Sequence, residues 1–142
     1  MKQSILDTES EIIEEFEMFD DWTDKYQYII DMGKSLQPLS DNEKTEQNLV
    51  RGCQSQVWLT AHTEGENVVF QADSDAIITK GLIALLVKVL SGNTPDEILA
   101  ARLEFMDKIG IREHLSPTRA NGLNAMVTKM KAYALGLKSL KG

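Results

Sequence analysis

One side chain in this sequence is a soft nucleophile, and its surroundings are unusual. Cys53 is the sole cysteine among 142 residues and stands in Val50-Arg51-Gly52-Cys53-Gln54-Ser55-Gln56-Val57-Trp58. Gly52 frees the backbone beside the sulfur. Arg51 stands two positions upstream, and the polar run Gln54, Ser55 and Gln56 separates the thiol from an alternating apolar stretch. The pattern predicts a thiol displayed on a tight loop at the start of a strand. Loops held by a rigid scaffold are where reactive groups concentrate.

The company Cys53 keeps narrows its chemistry. Cys53, His62 and His114 form no C-x-x-C and no H-x-x-x-H pattern. A structural zinc site draws four such ligands, mostly from local pairs, so no metal or cluster is expected on this chain alone. A cysteine hydrolase needs a histidine base oriented by a third group. His62 falls far along the strand after the cysteine, at roughly 3.3 Å per residue, and His114 falls in a connector before the last helix. An internal disulfide is excluded because the chain has no resolving cysteine. Thiol chemistry with a partner remains. A thiolate attacks the outer sulfur of another protein's persulfide and takes that sulfur as its own persulfide. Solitude suits such a carrier, since a neighbouring thiol would release the cargo early. A purely docking role and, more weakly, a stand-alone hydrolase stay open at this point.

Hydrophobic periodicity gives the elements that must position the thiol. Thr8-Glu9-Ser10-Glu11 reads as a capping box ahead of Ile12, Ile13, Phe16 and Phe19 at helical spacing. Trp22, Tyr26, Ile29 and Ile30 form a second stripe, with Gly33 as a terminator and Pro38 blocking continuation. After the cysteine the period becomes two: Val57, Leu59 and Ala61 share one strand face. Glu64-Gly65-Glu66-Asn67 turns the chain, and Val68, Phe70 and Ala72 resume the alternation. Two strands alone are marginal, so Glu46–Arg51 is expected as a third. Asp73-Ser74-Asp75 offers N-cap chemistry for a helix over 76–91, apolar almost all round and so buried. Thr94-Pro95-Asp96-Glu97 starts a short helix, another surrounds Met106, and Ser116-Pro117 opens the last one. Helices, a small sheet, then helices predict one α+β domain over 1–142, with about three antiparallel strands covered by helices.

Composition bounds the partners. The net charge of −7 is uneven: residues up to Glu46 carry 13 acidic and 4 basic side chains. A solvated acidic helix face accounts for this, and an acidic face also steers basic partners. No Lys/Arg cluster interleaves with aromatics, so nucleic-acid binding is not expected. No apolar run is long enough to span a bilayer. The N-terminus reads without a signal h-region, and one cysteine allows no intrachain disulfide, so a reducing cytoplasm is the expected compartment.

The cysteine loop, Arg51 through Leu59, resembles the signature of the SufE family of sulfur-acceptor proteins. Ala72-Asp73-Ser74-Asp75-Ala76, Lys80-Gly81-Leu82-Ile83-Ala84-Leu85-Leu86, Thr94-Pro95 and Leu115-Ser116-Pro117-Thr118-Arg119-Ala120-Asn121-Gly122-Leu123 resemble that family's other signatures in the same order. Trp22 to Lys34 resembles its second helix. The resemblance implies a fold like that of IscU-type scaffolds. It further implies an activator and sulfur acceptor of a PLP-dependent cysteine desulfurase of the SufS type, which hands a Cys53 persulfide to the SufBCD scaffold. PLP would stay with the partner, leaving no cofactor on this chain, and a monomer or weak homodimer is expected. The CsdE paralogue shares the architecture, but Gln54-Ser55-Gln56 favours SufE. Arg119 resembles a family-typical arginine near the cysteine loop, which either steadies a sulfur anion or caps loop carbonyls or pairs with an acid. Arg51 reads as an exposed partner contact. Asp75 and Lys80 read as capping and sheet-edge residues or as desulfurase contacts. Gly52 lets the loop move, while Gln54, Ser55 and Gln56 shape it. In such a carrier a sheltered thiol is expected at rest, because burial raises its pKa and suppresses stray reactions.

Overall fold

A computed structural model describes residues 4–141 of the chain. Helices α1 (Ile5–Glu17) and α2 (Trp22–Lys34) precede a hairpin of β1 (Val57–Glu64) and β2 (Asn67–Ser74). Helix α3 (Ile77–Leu90), the short α4 (Pro95–Ala100) and α5 (Phe105–Lys108), and the long α6 (Pro117–Lys141) follow. Single 3-10 turns occupy Asp41–Glu43, Glu46–Asn48 and Arg112–His114. The predicted α+β class holds.

Helix α3 is the hub, touching α1, α2, α6 and β2. Its side chains from Leu82 to Leu86 are all buried, as a helix apolar all round requires. Contact with α2 is intimate. A Cβ at Gly33 would lie 2.8 Å from Gly81 N, and one at Gly81 would lie 2.1 Å from the Ile29 carbonyl oxygen. Gly33 therefore does not end α2, which runs on to Lys34; it lets two helix backbones meet.

The first helix starts a turn earlier than the Thr8 box predicts. Ser4 caps it, accepting from the Asp7 N–H at 3.1 Å, while Thr8 sits inside and donates its hydroxyl to the Ser4 carbonyl. The Thr94 box forms as read: Thr94 Oγ1 accepts from Glu97 N at 3.2 Å, and Glu97 Oε1 accepts from Thr94 N at 2.9 Å.

The hairpin pairs Val57 with Ser74 through to Glu64 with Asn67, burying Val57, Leu59, Val68, Phe70 and Ala72. The third strand does not form. Residues Glu46–Asn48 wind into a 3-10 turn, so only Leu49 bridges Trp58, with Val50 N–H donating to the Val57 carbonyl at 2.8 Å. The opposite edge is closed likewise: Val68 exchanges backbone bonds with Asn93 and Gly92, and Phe70 N–H donates to Ser91 Oγ. Both edges of a two-stranded sheet are thus capped by irregular chain, which blunts edge-to-edge association. Among the described residues no helix is long and apolar enough to cross a membrane.

Candidate functional site

Cys53 lies in the segment between the Leu49 bridge and β1. Gly52 adopts φ +93°, a left-handed backbone that favours glycine, and this turns the chain so that the sulfur faces α6. There Sγ donates to the Gly122 carbonyl oxygen at 3.5 Å. A Cβ at Gly122 would stand 3.3 Å from that sulfur, so the missing side chain of Gly122 is what admits the thiol. Cys53 is half-buried, and burial pushes its thiol pKa up. A small recess of about 60 Å³ opens beside it, bounded by Thr79, Ser116, Thr118, Arg119 and Met126 among others.

The recess sits at the N-terminus of a 25-residue helix, where the helix dipole favours negative charge. The Ser116 hydroxyl accepts from the Arg119 N–H at 3.2 Å. Among the described residues no carboxylate pairs with the Arg119 guanidinium, and Arg119 lines the recess with Cys53. A shielded neutral thiol at rest and a cation with a helix terminus ready for an anion are opposing influences on one sulfur. While the loop is seated, burial holds the thiol pKa above its ordinary value.

The loop is fastened at both ends. Downstream, Gln56 N–H donates to Asp75 Oδ1 at 3.0 Å, Asp75 N–H donates to the Gln56 carbonyl at 3.2 Å, and Ser74 Oγ donates to that same carbonyl at 2.8 Å. Asp75 is therefore a loop fastener and not the cap of α3, whose N-cap position is Ala76, without a side-chain bond of its own. Upstream, Lys129 Nζ donates to the Gln47 carbonyl at 3.1 Å and the Leu49 carbonyl at 2.7 Å. Burial and then the Arg51 charge lower the Lys129 pKa.

Lys80 does not reach the thiol. It pairs with Asp73 at 3.3 Å, a carboxylate only 4% exposed that also meets Lys44 and accepts from the Leu39 and Ser74 N–H groups. Burial alone would raise the Asp73 pKa, but these hydrogen bonds and Lys80 hold it below the usual range. Asp73 thus ties the segment before the loop to the base of α3. Arg51 is exposed and pairs with Glu46 at 3.4 Å, a surface contact of little energetic weight. Gln54 and Gln56 are exposed and Ser55 is partly covered. Neither histidine lines the recess: His62 pairs with Glu64, and His114 stacks on Trp22 at 3.7 Å between centroids. A hydrolytic Cys–His pair is absent from the described residues. No group of three or more His, Cys, Asp and Glu among them could hold a metal ion.

Gly122, Met126, Asp73 and Lys129 had no assigned part in the sequence reading of the site. A signal existed for two of them. Arg119, Gly122 and Met126 stand at i, i+3 and i+7, which places them on one helical face.

Fold and site together define an α+β protein with one sheltered, loop-borne thiol. The chain belongs to the SufE family, whose Fe-S metabolism associated domain matches residues 10–134. It is 44% identical over 129 residues to an uncharacterized SufE-like protein of Rhizobium etli, covering 87% of each chain. It is 45% identical over 129 residues to a chloroplastic/mitochondrial SufE-like protein of Arabidopsis thaliana, covering 90% of this chain and 35% of that one. A hypothetical protein from Thermus thermophilus, solved in solution, shares the fold with a TM-score of 0.76 at 23% identity, covering 95% of this chain and 97% of that chain. Family membership ties the protein to iron–sulfur metabolism and to sulfur transfer.

Proposed function

We propose that Cys53 accepts sulfane sulfur from a PLP-dependent cysteine desulfurase of the SufS type, and that the resulting persulfide supplies the SufBCD scaffold. The observation that carries this reading is a single thiol, fastened on both sides, beside a recess with room for one more atom. The recess of about 60 Å³ exceeds the roughly 30 Å³ that one water molecule occupies in the liquid. In the transfer, the Cys53 thiolate attacks the terminal sulfur of the desulfurase persulfide. A new S–S bond forms at Cys53 and the old one breaks. Its electron pair leaves on the desulfurase cysteine as a thiolate, so no external oxidant is needed. Arg119 and the α6 N-terminus favour the anionic form of the acquired persulfide. PLP belongs to the desulfurase, and this chain contributes the sulfur acceptor and the docking face. A reducing compartment such as the cytoplasm suits a carrier that must remain a free thiol between cycles.

A second reading has its own support, because Arg51, Gln54 and Gln56 are exposed around the half-buried thiol and could dock a desulfurase without accepting sulfur. That adaptor would serve a SufS-type enzyme or the partner of a CsdE-type paralogue. Intact mass after incubation with desulfurase and cysteine separates the readings. A carrier gains whole-sulfur increments that vanish in Cys53→Ser. An unchanged wild-type mass, with full desulfurase stimulation by Cys53→Ser, would establish the adaptor and overturn the carrier.

A further inference from the structure

A wide groove has no lining residue in common with the Cys53 recess. It encloses about 630 Å³ between α1 and the chain from Glu97 to Lys108, within the range of roughly 300–1,000 Å³ typical of small-ligand sites. Ile5 and Ile13 on one side and Leu103 and Phe105 on the other give it an apolar floor, while charged side chains, Arg102 and Lys108 among them, complete the lining. Leu6 stands at the rim, 75% exposed.

One of the charged groups, Glu9, is buried for no reason the fold supplies. Glu9 lines the groove yet is only 6% exposed. Its Oε2 accepts from the Phe105 N–H at 3.1 Å, while Oε1 has no hydrogen-bond donor or ion-pair partner among the described residues. A glutamine would satisfy the Phe105 N–H without the cost of burying a charge. Burial, opposed by the Phe105 hydrogen bond, raises the Glu9 pKa, with Glu104 adding to the rise and Lys108 opposing it. Lys108 also lines the groove, but no ion pair joins it to Glu9 among the described residues, and Oε1 stays open. The opposite wall holds a further oddity. Leu103, 2% exposed, has φ +56°, a left-handed conformation that costs a residue with a Cβ about 1–2 kcal/mol.

We propose that this groove binds a small amphipathic organic cation, with a primary ammonium on Glu9 Oε1 and an apolar body between Ile5, Ile13, Leu103 and Phe105. The carboxylate selects the charge and the walls select an aliphatic or aromatic tail. The site is independent of the sulfur-transfer reading, since it shares no residue with the Cys53 recess.

The test is an amide NMR titration of the full chain with n-hexylammonium, n-hexanol and hexanoate as probes. Hexylammonium should give saturable shifts at Leu103, Phe105 and the groove face of α1, and should bind at least about tenfold more tightly than the other two. Glu9→Gln, which keeps an acceptor for Phe105, should weaken hexylammonium about tenfold, the scale of one charged hydrogen bond. Lys108→Met lies on the exposed rim and should tighten binding by removing a competing positive charge, giving a second reading whether or not Glu9→Gln folds. Equal binding of hexanol or hexanoate, an affinity indifferent to both substitutions, or no saturable shift would overturn the site. So would shifts produced by a lysine-bearing peptide and not by hexylammonium, which would make the groove a protein-docking surface.

Discussion

Replacing Gly122 with alanine tests whether the thiol is sheltered by α6 or merely near it. The new Cβ would stand 3.3 Å from Cys53 Sγ and 3.8 Å from its Cα and Cβ, so one partner must yield. Two energies compete. Removing a glycine from a helix interior stabilises by about 0.5–1 kcal/mol, whereas overpacking a rigid site costs about 1–3 kcal/mol. The sulfur belongs to a loop and holds α6 through one long hydrogen bond to the Gly122 carbonyl, so the loop is the partner that moves. Its displacement forfeits about 1 kcal/mol, nearly offset by the helix gain, and the melting temperature should stay within about 4 °C of wild type. The shelter should weaken at the same time. About 1 kcal/mol lost from the seated state makes the thiol roughly fivefold more available. Iodoacetamide alkylation followed by mass spectrometry at neutral pH should accelerate by that factor. Its pH–rate midpoint should fall toward the ordinary thiol value, because burial is what raises it. A slower or unchanged rate together with a melting temperature lowered by many degrees would refute the reasoning. Cys53 would then be pinned as a core residue is.

Three further outcomes follow from the fasteners. Asp75→Ala removes the side-chain acceptor of Gln56 N–H and should speed Cys53 alkylation several-fold. Asp75→Asn keeps an acceptor and should stay near wild type; equal rates in both variants would dismiss the latch. Lys129→Met frees the Gln47 and Leu49 carbonyls, so hydrogen exchange at the Val50 amide should quicken about tenfold for about 1.4 kcal/mol lost. Exchange unchanged at Val50 would show that the bridge stands without the lysine. Asp73 is held below the usual carboxylate range in the folded protein, so its stabilisation is complete above the unfolded-state pKa and fades as pH falls through the folded one. Urea melts of Asp73→Asn should lose that acid-side dependence, and a pH slope identical to wild type would contradict it.

Much of the fold was legible because its signals are local. The Thr94 box, the turn at Gly65 and the apolar run of α3 each lie within a few residues, and each formed as the pattern predicts. The misreadings share a different cause. Thr8 has capping chemistry, but Ser4 takes the role one turn earlier. Residues from Glu46 prefer a 3-10 turn that starves the third strand of partners. Around the thiol, the decisive contacts are distant in sequence: Cys53 meets Gly122 across 69 positions, and Lys129 reaches Leu49 across 80. Gly122 acts through a side chain it does not have, which no residue-by-residue reading of chemistry detects. The nucleophile was legible from its solitude, and its seat was not.

The two fasteners also set a length. Between Val50, bonded to Val57, and Gln56, bonded to Ser74 and Asp75, only Arg51, Gly52, Cys53, Gln54 and Ser55 are free to rearrange. Fully extended, that stretch measures about 20 Å, so with its ends held its midpoint travels no more than about 10 Å from them. Cys53 is the third of the five, the position of greatest reach. The sulfur therefore works like the end of a short leash. Any thiol that exchanges with it must come within that radius, and a partner whose own sulfur lies deeper must carry it outward to meet the loop.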